Sequence, residues 1–158
     1  MKTRAVLFFV AFVIMFAGAC ATAHAQQPAN VPMPPGLRVL SPGNDVPAEL
    51  AEFSGKWYGV WDNILEHVLV VKEVTPTHVV VVYAVGTAPA WNIHQPRWYE
   101  VNAEFVDKAL VVKFPRIQVT VTYKMNKDGM LSGTYESARG ASRATLKQLL
   151  EVSPTAKK

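Results

Sequence analysis

The stretch that decides the fold is FSGKWYGVW, which runs from Phe53 to Trp61. In an extended chain alternate side chains point to opposite faces, so Trp57, Gly59 and Trp61 share one face. Two indole rings on one face bury a large apolar area, and the glycine between them leaves room for a neighbouring backbone. We therefore expect a strand whose aromatic face lies at the centre of the core.

The sequence after this stretch repeats the two-residue period that is typical of half-buried strands. Between 99 and 105, apolar residues alternate with Glu100, Asn102 and Glu104. The segments 69–74 and 78–85 are more continuously apolar, so we expect their outer faces to be covered too. The predicted strands lie at 53–61, 69–74, 78–85, 98–105, 109–114, 117–125, 130–136 and 142–149.

These eight short strands predict an all-β fold. No intervening segment is long enough for the helix that a parallel crossover requires, so neighbouring strands should run antiparallel. A meander of eight antiparallel strands usually closes, because closure removes exposed strand edges. We expect an eight-stranded up-and-down antiparallel β-barrel, and the alternative is an open β-sandwich.

The N-terminus has the pattern of a secretory signal peptide. Lys2 and Arg4 precede the uncharged apolar run 5–19, and Ala23-His24-Ala25 has the small residues of a cleavage site. We expect cleavage before Gln26 and a periplasmic or secreted protein.

The segment Ala17-Gly18-Ala19-Cys20 is the basis of an alternative. It resembles the motif before the lipid-modified cysteine of bacterial lipoproteins, so a lipid anchor on Cys20 is the minority interpretation. Cys20 is the single cysteine, and disulfides therefore contribute nothing to the predicted fold.

Composition divides the chain and limits its partners. We expect a signal peptide at 1–25, a proline-rich extended segment at 26–47, a β-barrel domain at 48–150 and a C-terminal tail at 151–158. Without Lys2 and Arg4, 14 of the 16 basic residues remain against 12 acidic ones, and they form no basic stripe. This pattern excludes a nucleic-acid footprint, and we expect no transmembrane anchor after signal cleavage.

Gly55-Lys56-Trp57 near the start and Arg143 near the end resemble the calycin superfamily, which contains the lipocalins, the fatty-acid-binding proteins and the avidins. In that family a Gly-x-Trp opens the first strand, and a basic residue on the last strand packs across the indole. The resemblance implies that Trp57 and Arg143 cap the barrel floor, with Arg139 as the poorer candidate. The stretch LSGTYES at 131–137 also resembles the avidin strand whose Tyr and Ser contact biotin, but in a different strand order.

An eight-stranded barrel is just wide enough to be packed solid or to hold one small ligand. If it holds a ligand, we expect aromatic walls and a polar rim, the rim coming partly from the long connection 86–96. The predicted wall residues are Trp61, Tyr83, Tyr123 and Tyr135. The predicted rim residues are Asp62, Trp91, His94, Trp98 and Arg139.

These residues favour an exported, non-enzymatic β-barrel that binds a small apolar or amphipathic ligand. The alternative is a filled barrel that serves as a structural or protein-interaction module of the cell envelope. A small hydrolase or haem enzyme is the third hypothesis. No catalytic residue is predicted, because the sequence has no nucleophile motif, and the question of enzymatic activity stays open.

The histidines predict no metal site and no cofactor. His67, His78 and His94 lack the close spacing of metal ligands, so we interpret them as surface or capping residues. The alternative is a haem site, in which His94, near Trp91 and Trp98 in the sequence, would be the haem ligand.

Four consecutive valines, Val79–Val82, require a second covered surface, since one face of their strand must point away from the barrel interior. This face is predicted to meet a second copy of the chain, an envelope protein, or the proline-rich segment folding back.

Overall fold

The structure is a computed structural model, and it describes residue 28 and residues 30–149. The predicted signal peptide, Cys20 and the tail at 151–158 lie outside the described residues. Export, cleavage before Gln26 and the lipid anchor therefore stay predictions.

Eight antiparallel strands form one closed barrel in the order in which they occur along the chain. β8 returns to β1 through pairs that include Trp57 with Gln148 and Tyr58 with Lys147. This topology confirms the predicted up-and-down barrel, and the open β-sandwich is wrong. The strands are β1 (Gly55–Trp61), β2 (Leu65–Val74), β3 (Val79–Val85), β4 (Arg97–Val106), β5 (Ala109–Phe114), β6 (Val119–Met125), β7 (Leu131–Ser137) and β8 (Gly140–Leu149).

Helical structure within the described residues is confined to short turns. They are α1 (Ala48–Ala51) and the 3-10 turns Pro89–Trp91 and Pro115–Ile117. The turn Pro115–Ile117 is followed by Gln118, which adopts a left-handed conformation with φ 52°. β6 therefore begins at Val119, two residues after the predicted start. Across residue 28 and residues 30–149, no helix has the length and apolar character needed to cross a membrane.

The barrel has two ends, which we call the mouth and the base. The connections 62–64, 86–96, 115–118 and 138–139 lie at the mouth, and the connections 75–78, 107–108 and 126–130 lie at the base. Helix α1 leads into β1 at the base. The mouth therefore carries the one long connection between strands, and binding residues often lie on such loops.

Phe53 and Trp57 close the base. The Trp57 indole N–H donates to the Phe53 carbonyl at 2.8 Å, and both side chains are buried. The Phe53 ring meets Phe105 of β4 edge to face at 5.2 Å, and Leu50 of α1 packs against the same core. The lower half of the barrel is thus filled by side chains.

Arg143 does not cap this floor, so that implication of the resemblance is wrong. Trp57 lies opposite Gln148 in the pairing of β1 with β8, five residues further along β8 than Arg143. Ala144 and Leu146 point inward, so Arg143 projects from the outer face, where it is exposed. Arg139 lies in the β7–β8 turn at the mouth, at the opposite end from Trp57.

Two glycines let large groups approach closely inside the barrel. A Cβ atom on Gly133 would lie 2.9 Å from the Trp61 ring, and one on Gly59 would lie 2.7 Å from the Thr145 carbonyl oxygen. Contacts this short exclude a side chain unless the structure shifts. Gly133 therefore makes room for the Trp61 ring, and Gly59 for the backbone of β8.

The proline-rich segment covers the outer face of β2 and β3. We call residues 31–40 the strap. Its apolar side chains pack on a second core formed by outward-facing residues of these two strands. The contributors from the strap are Val31, Met33, Leu37 and Val39, and those from the strands are Val68, Val70, Val82 and Ala84.

A β-bulge in β2 fixes the end of the strap. The pairing of β2 with β3 skips Lys72, and the Lys72 carbonyl accepts a hydrogen bond from the Leu40 N–H at 2.8 Å. The bulge thus provides an acceptor that an unbroken ladder would use within the sheet.

The strap also covers part of the outer face of the strand that contains the four valines. Val79 and Val81 belong to the inner core, and Val82 lies under the strap. Three of the four side chains are therefore buried by the chain itself and offer no surface to a partner, and Val80 is half-buried.

Candidate functional site

A cavity of about 570 Å³ opens at the mouth of the barrel. Apolar side chains from four strands and two connections form most of its wall. They are Leu65, Val85, Ile93, Phe114, Ile117 and Val119. A concave, largely apolar site of this size, with a few polar groups at its edge, is typical of small-molecule binding sites.

Aromatic rings form the floor of the cavity. Trp61 meets the Tyr135 ring edge to face at 6.1 Å, and Phe114 makes edge-to-face contacts with Tyr83 and Tyr99. Burial raises the pKa of Tyr83, and burial also raises the pKa of Tyr135 against the opposing effect of the Arg139 charge. Both hydroxyls therefore stay protonated and neutral at ordinary pH, and each can donate one hydrogen bond.

A fully buried histidine supports this floor from below. The His67 ring lies 4.3 Å from the Tyr83 ring and 5.4 Å from the Trp61 ring, measured between centroids. Its Nδ1 lies 2.9 Å from the Ala84 carbonyl oxygen, and its Nε2 lies 2.7 Å from the Tyr123 hydroxyl. A carbonyl only accepts, so Nδ1 carries the proton and Tyr123 donates to Nε2.

The interpretation of His67 as a surface or capping residue is therefore wrong. Burial lowers its pKa from 6.5 to about 3, against the opposing effect of the hydrogen bond to Ala84. His67 is thus neutral at ordinary pH and acts as a fixed polar bridge between β2, β3 and β6. His78 and His94 are exposed, as expected for surface residues.

The Trp61 indole N–H has no hydrogen-bond partner among the described residues, and the nitrogen is buried. Buried polar groups are normally satisfied, because an unsatisfied donor costs about 1–3 kcal/mol. The Tyr83 hydroxyl lies close enough for a hydrogen-bonding interaction with this indole to lower its pKa, against the larger effect of burial, but the contact falls outside hydrogen-bond geometry. Since the nitrogen itself is inaccessible, it cannot contact a ligand unless the floor rearranges.

Charged side chains surround the opening. Arg97 and Arg139 line the cavity edge, and both are exposed. Arg97 Nη1 donates to the Tyr99 hydroxyl at 3.4 Å. Two guanidinium groups over an apolar cavity favour a ligand with an anionic group, because guanidinium pairs with carboxylate, sulfonate and phosphate oxygens.

The one carboxylate at the edge, Asp62, is engaged by the protein backbone. The Arg143 N–H donates to Asp62 Oδ1 at 2.9 Å, and the Asp62 N–H donates to the Arg143 carbonyl at 2.9 Å. The backbone hydrogen bond from Arg143, followed by the Ser142 hydroxyl, lowers the pKa of Asp62. Asp62 therefore serves to fix the end of β1 to β8.

The structure brings six of the nine predicted ligand-binding residues together at the cavity. These are Trp61, Asp62, Tyr83, Trp91, Tyr135 and Arg139. Tyr123 lies beneath the floor, where it is fully buried against His67. His94 and Trp98 do not line the cavity: His94 Nε2 bonds to Asn92 Oδ1 at 2.8 Å, and Trp98 is on the outer face of β4.

Two functional candidates were missed by the sequence reasoning. Tyr99 lines the cavity, on the inner face that the alternation between 99 and 105 indicates, and the same alternation places Trp98 outside. Arg97 stands just after the long connection 86–96, so its position beside the mouth followed from the predicted strand boundary.

A second depression, of about 760 Å³, lies on the outer face over β1, β7 and β8. Its lining mixes polar and apolar surface and includes Thr134, Arg143, Thr145 and Lys147. A depression on the outside of a sheet encloses little of a small molecule, so it fits a ligand less well than the cavity does. Within residue 28 and residues 30–149, no three His, Cys, Asp or Glu residues are grouped so as to hold a metal ion.

Comparisons with protein-family models, with curated proteins and with solved structures find no match for this chain. The fold is therefore identified by its topology, a closed eight-stranded antiparallel barrel with up-and-down connections.

Proposed function

We propose that the protein is a calycin-like barrel that binds a small amphipathic molecule, with the apolar part inside the barrel and an anionic group at the mouth. The observation that carries this proposal is the cavity of about 570 Å³, which is apolar in its walls and basic at its opening. The base is packed with side chains, so a ligand enters and leaves at the mouth.

The orientation of the ligand follows from the distribution of polar groups. Leu65, Val85 and Val119 can contact only apolar ligand atoms, whereas Arg97 and Arg139 at the edge can pair with a carboxylate or sulfonate. The hydroxyls of Tyr83 and Tyr135 can donate to a single acceptor near the floor. The expected ligand is therefore an apolar or aromatic acid.

The resemblance to calycins supports the same proposal. Tyr135 and Ser137, from the stretch that resembles an avidin strand, both line the cavity. Arg143 departs from the family pattern, so the resemblance supports the barrel and its cavity more than the floor contact. Biotin, which has an apolar ring system and a carboxylate, belongs among the competitors to be tested.

The test compares two fluorescent probes with the same aromatic body, 1-anilinonaphthalene-8-sulfonate and the uncharged N-phenyl-1-naphthylamine. We expect saturable binding of both, with the sulfonate preferred. Val85→Phe places a ring in the cavity and should weaken both probes by about tenfold or more, since the added ring occupies the ligand's volume. Val106→Phe, at an exposed position at the base, is the control and should change neither.

The anionic group is tested by replacing the two arginines at the edge. Arg97→Gln combined with Arg139→Gln should weaken the sulfonate probe by about tenfold and leave the uncharged probe unchanged. Arg143→Gln, on the outer face, is the matched control. Non-saturable binding, or equal loss with both probes, would contradict the proposed orientation, and no binding of either probe would favour the filled-barrel module.

A further inference from the structure

Exposed apolar side chains are concentrated around the mouth. Six large apolar residues are strongly exposed among the described ones, and four of them, Ile64, Trp98, Tyr99 and Ile117, lie in mouth connections or in the first three residues of β4. We propose that the mouth docks on the surface of an anionic lipid bilayer. Membrane contact is one of the usual meanings of an exposed apolar patch with a basic border.

Two tight turns hold the most exposed of these side chains at the tips of connections. Asp62 and Asn63 adopt left-handed conformations, with φ 46° and 58°, and the Ile64 N–H donates to the Trp61 carbonyl at 2.8 Å. Ile117 ends the 3-10 turn Pro115–Ile117 and is 65 % exposed. Both isoleucines are thus fixed in place, so their insertion into a lipid interface costs little additional ordering.

The charges at the mouth match an anionic partner. Arg97, Arg116 and Arg139 face solvent there, and Asp62, the one carboxylate in these connections, is bound to the backbone of Arg143. The nearest other carboxylates, Glu66 and Glu136, lie on the outer wall, and Glu66 accepts the Tyr58 hydroxyl at 3.0 Å.

The base carries more carboxylates than the mouth. Its connections, together with the segment that leads into β1, carry five carboxylates and two lysines. These are Asp45, Glu49, Glu52, Asp107 and Asp128, with Lys108 and Lys127. The strand ends at the base add Lys56 and Lys124. An anionic surface therefore attracts the mouth more strongly than the base, which favours one orientation of the barrel.

The strap directs the preceding chain toward the same end. The strap is held near the base by the bond from Leu40 to Lys72, and residue 30 lies beside the mouth, where the Asn30 side chain donates to Glu66 at 3.4 Å. Any chain retained before Pro28 therefore joins the barrel beside the mouth. A lipid anchor on Cys20, the minority interpretation, would hold the mouth toward the membrane.

The test uses the chain from Gln26 to Lys158, which lacks the apolar run and retains every strand of the closed barrel. Its fold is checked first by circular dichroism and a cooperative melt. Flotation then compares phosphatidylcholine vesicles with vesicles that contain about 30 % phosphatidylglycerol. We expect binding to the anionic vesicles only, and loss of binding between about 0.05 M and about 0.5 M NaCl.

Ile64→Ser and Arg116→Gln alter the mouth without altering the cavity lining. Each should weaken binding to anionic vesicles by about fivefold, while the sulfonate probe still binds. Val106→Ser and Lys127→Gln are the matched controls at the base, and each should change vesicle binding by less than about twofold. Brominated lipids should quench part of the tryptophan emission, since Trp91 and Trp98 lie near the mouth.

Absence of binding by the wild-type chain, equal binding to both kinds of vesicle, or equal effects of the mouth and base variants would each overturn this proposal. None of these outcomes bears on the cavity, because neither Ile64 nor Arg116 lines it. Loss of docking and loss of ligand binding are therefore distinguishable.

Discussion

At the scale of single residues, His67 has the largest consequence for the fold. Tyrosine and tryptophan apart, it is the one side chain with a charged or polar group that is buried among the described residues, and its partners come from strands distant in the sequence. Its neutral form joins the Ala84 carbonyl to the Tyr123 hydroxyl. A proton added to this ring would be a buried charge without a counter-ion, which is costly in a protein interior.

His67 should therefore make the stability depend on pH. Its pKa is about 3 in the folded chain, below the ordinary 6.5, so between these values the unfolded chain binds a proton that the folded chain excludes. The free energy of unfolding should consequently fall as the pH falls below about 6.5, by up to ~1.4 kcal/mol per pH unit from this residue. Urea denaturation at several pH values measures the slope.

The variant His67→Phe isolates this contribution. It should be less stable at neutral pH by about 1–3 kcal/mol, because the Tyr123 hydroxyl loses its acceptor, but its stability should depend less on pH. His78→Gln, at an exposed position, should keep the wild-type slope. An unchanged slope in His67→Phe would assign the pH dependence to other groups.

At the scale of elements, the strap gives β2 and β3 two buried faces. These two strands carry the continuous apolar runs that an ordinary antiparallel barrel would expose on its outside. The strap supplies the apolar cover for Val68, Val70, Val82 and Ala84. Without it, the barrel would present an apolar patch that favours self-association.

Leu37→Ser should therefore loosen the strap. We expect a loss of about 1–2 kcal/mol in the free energy of unfolding, since the side chain is half-buried, together with concentration-dependent association of the exposed valine face. Denaturant midpoints and light scattering measure the two effects. Arg38→Ser, at the neighbouring exposed position, is the control, and a Leu37→Ser protein that stays monomeric at wild-type stability would contradict this role.

Much of this element structure was available from the sequence. Alternation identified strands such as β4 and β6, because each of them has one face in the core. The continuous apolar runs identified β2 and β3 and correctly predicted a covered outer face. The start of β2 was missed because Glu66 and His67 interrupt the apolar pattern, and the burial of His67 depends on Ala84 and Tyr123. The predicted contact of Arg143 with Trp57 is wrong, because the local sequence does not determine the register between the first and last strands.

The sequence also does not show which inward-facing side chains line the cavity and which fill the barrel beneath it. Tyr123 and Tyr135 are both inward-facing tyrosines on neighbouring strands, yet one is sealed beneath the floor and the other lines the cavity. Depth along the barrel axis decides between them, and that depth depends on the stagger of all the strands.

At the scale of the whole molecule, closure between β1 and β8 joins residues that are far apart in the sequence. Lys56 pairs with Leu149, so this seam can form only after most of the chain is ordered. Such non-local pairing is associated with slow folding. Gly59 lies at this seam, against the backbone of Thr145.

Gly59→Ala should therefore weaken the closure of the barrel. The added methyl group would meet the Thr145 carbonyl oxygen and the Leu146 side chain, and we expect a loss of about 1–3 kcal/mol in the free energy of unfolding. Hydrogen exchange should locate the effect in the amides of β1 and β8. Val60→Ala, the neighbouring outward-facing position, is the control, and uniform loss of protection around the barrel would argue against a local seam.

The strap and the final strand place the two described ends of the chain at opposite poles. Residue 30 lies beside the mouth, and Leu149 pairs with Lys56 near the base. A label or affinity tag fused before the strap would crowd the opening, whereas one fused after β8 would leave it clear. If the protein is immobilised on a sensor chip through its C-terminus, the cavity of every molecule therefore faces the solution.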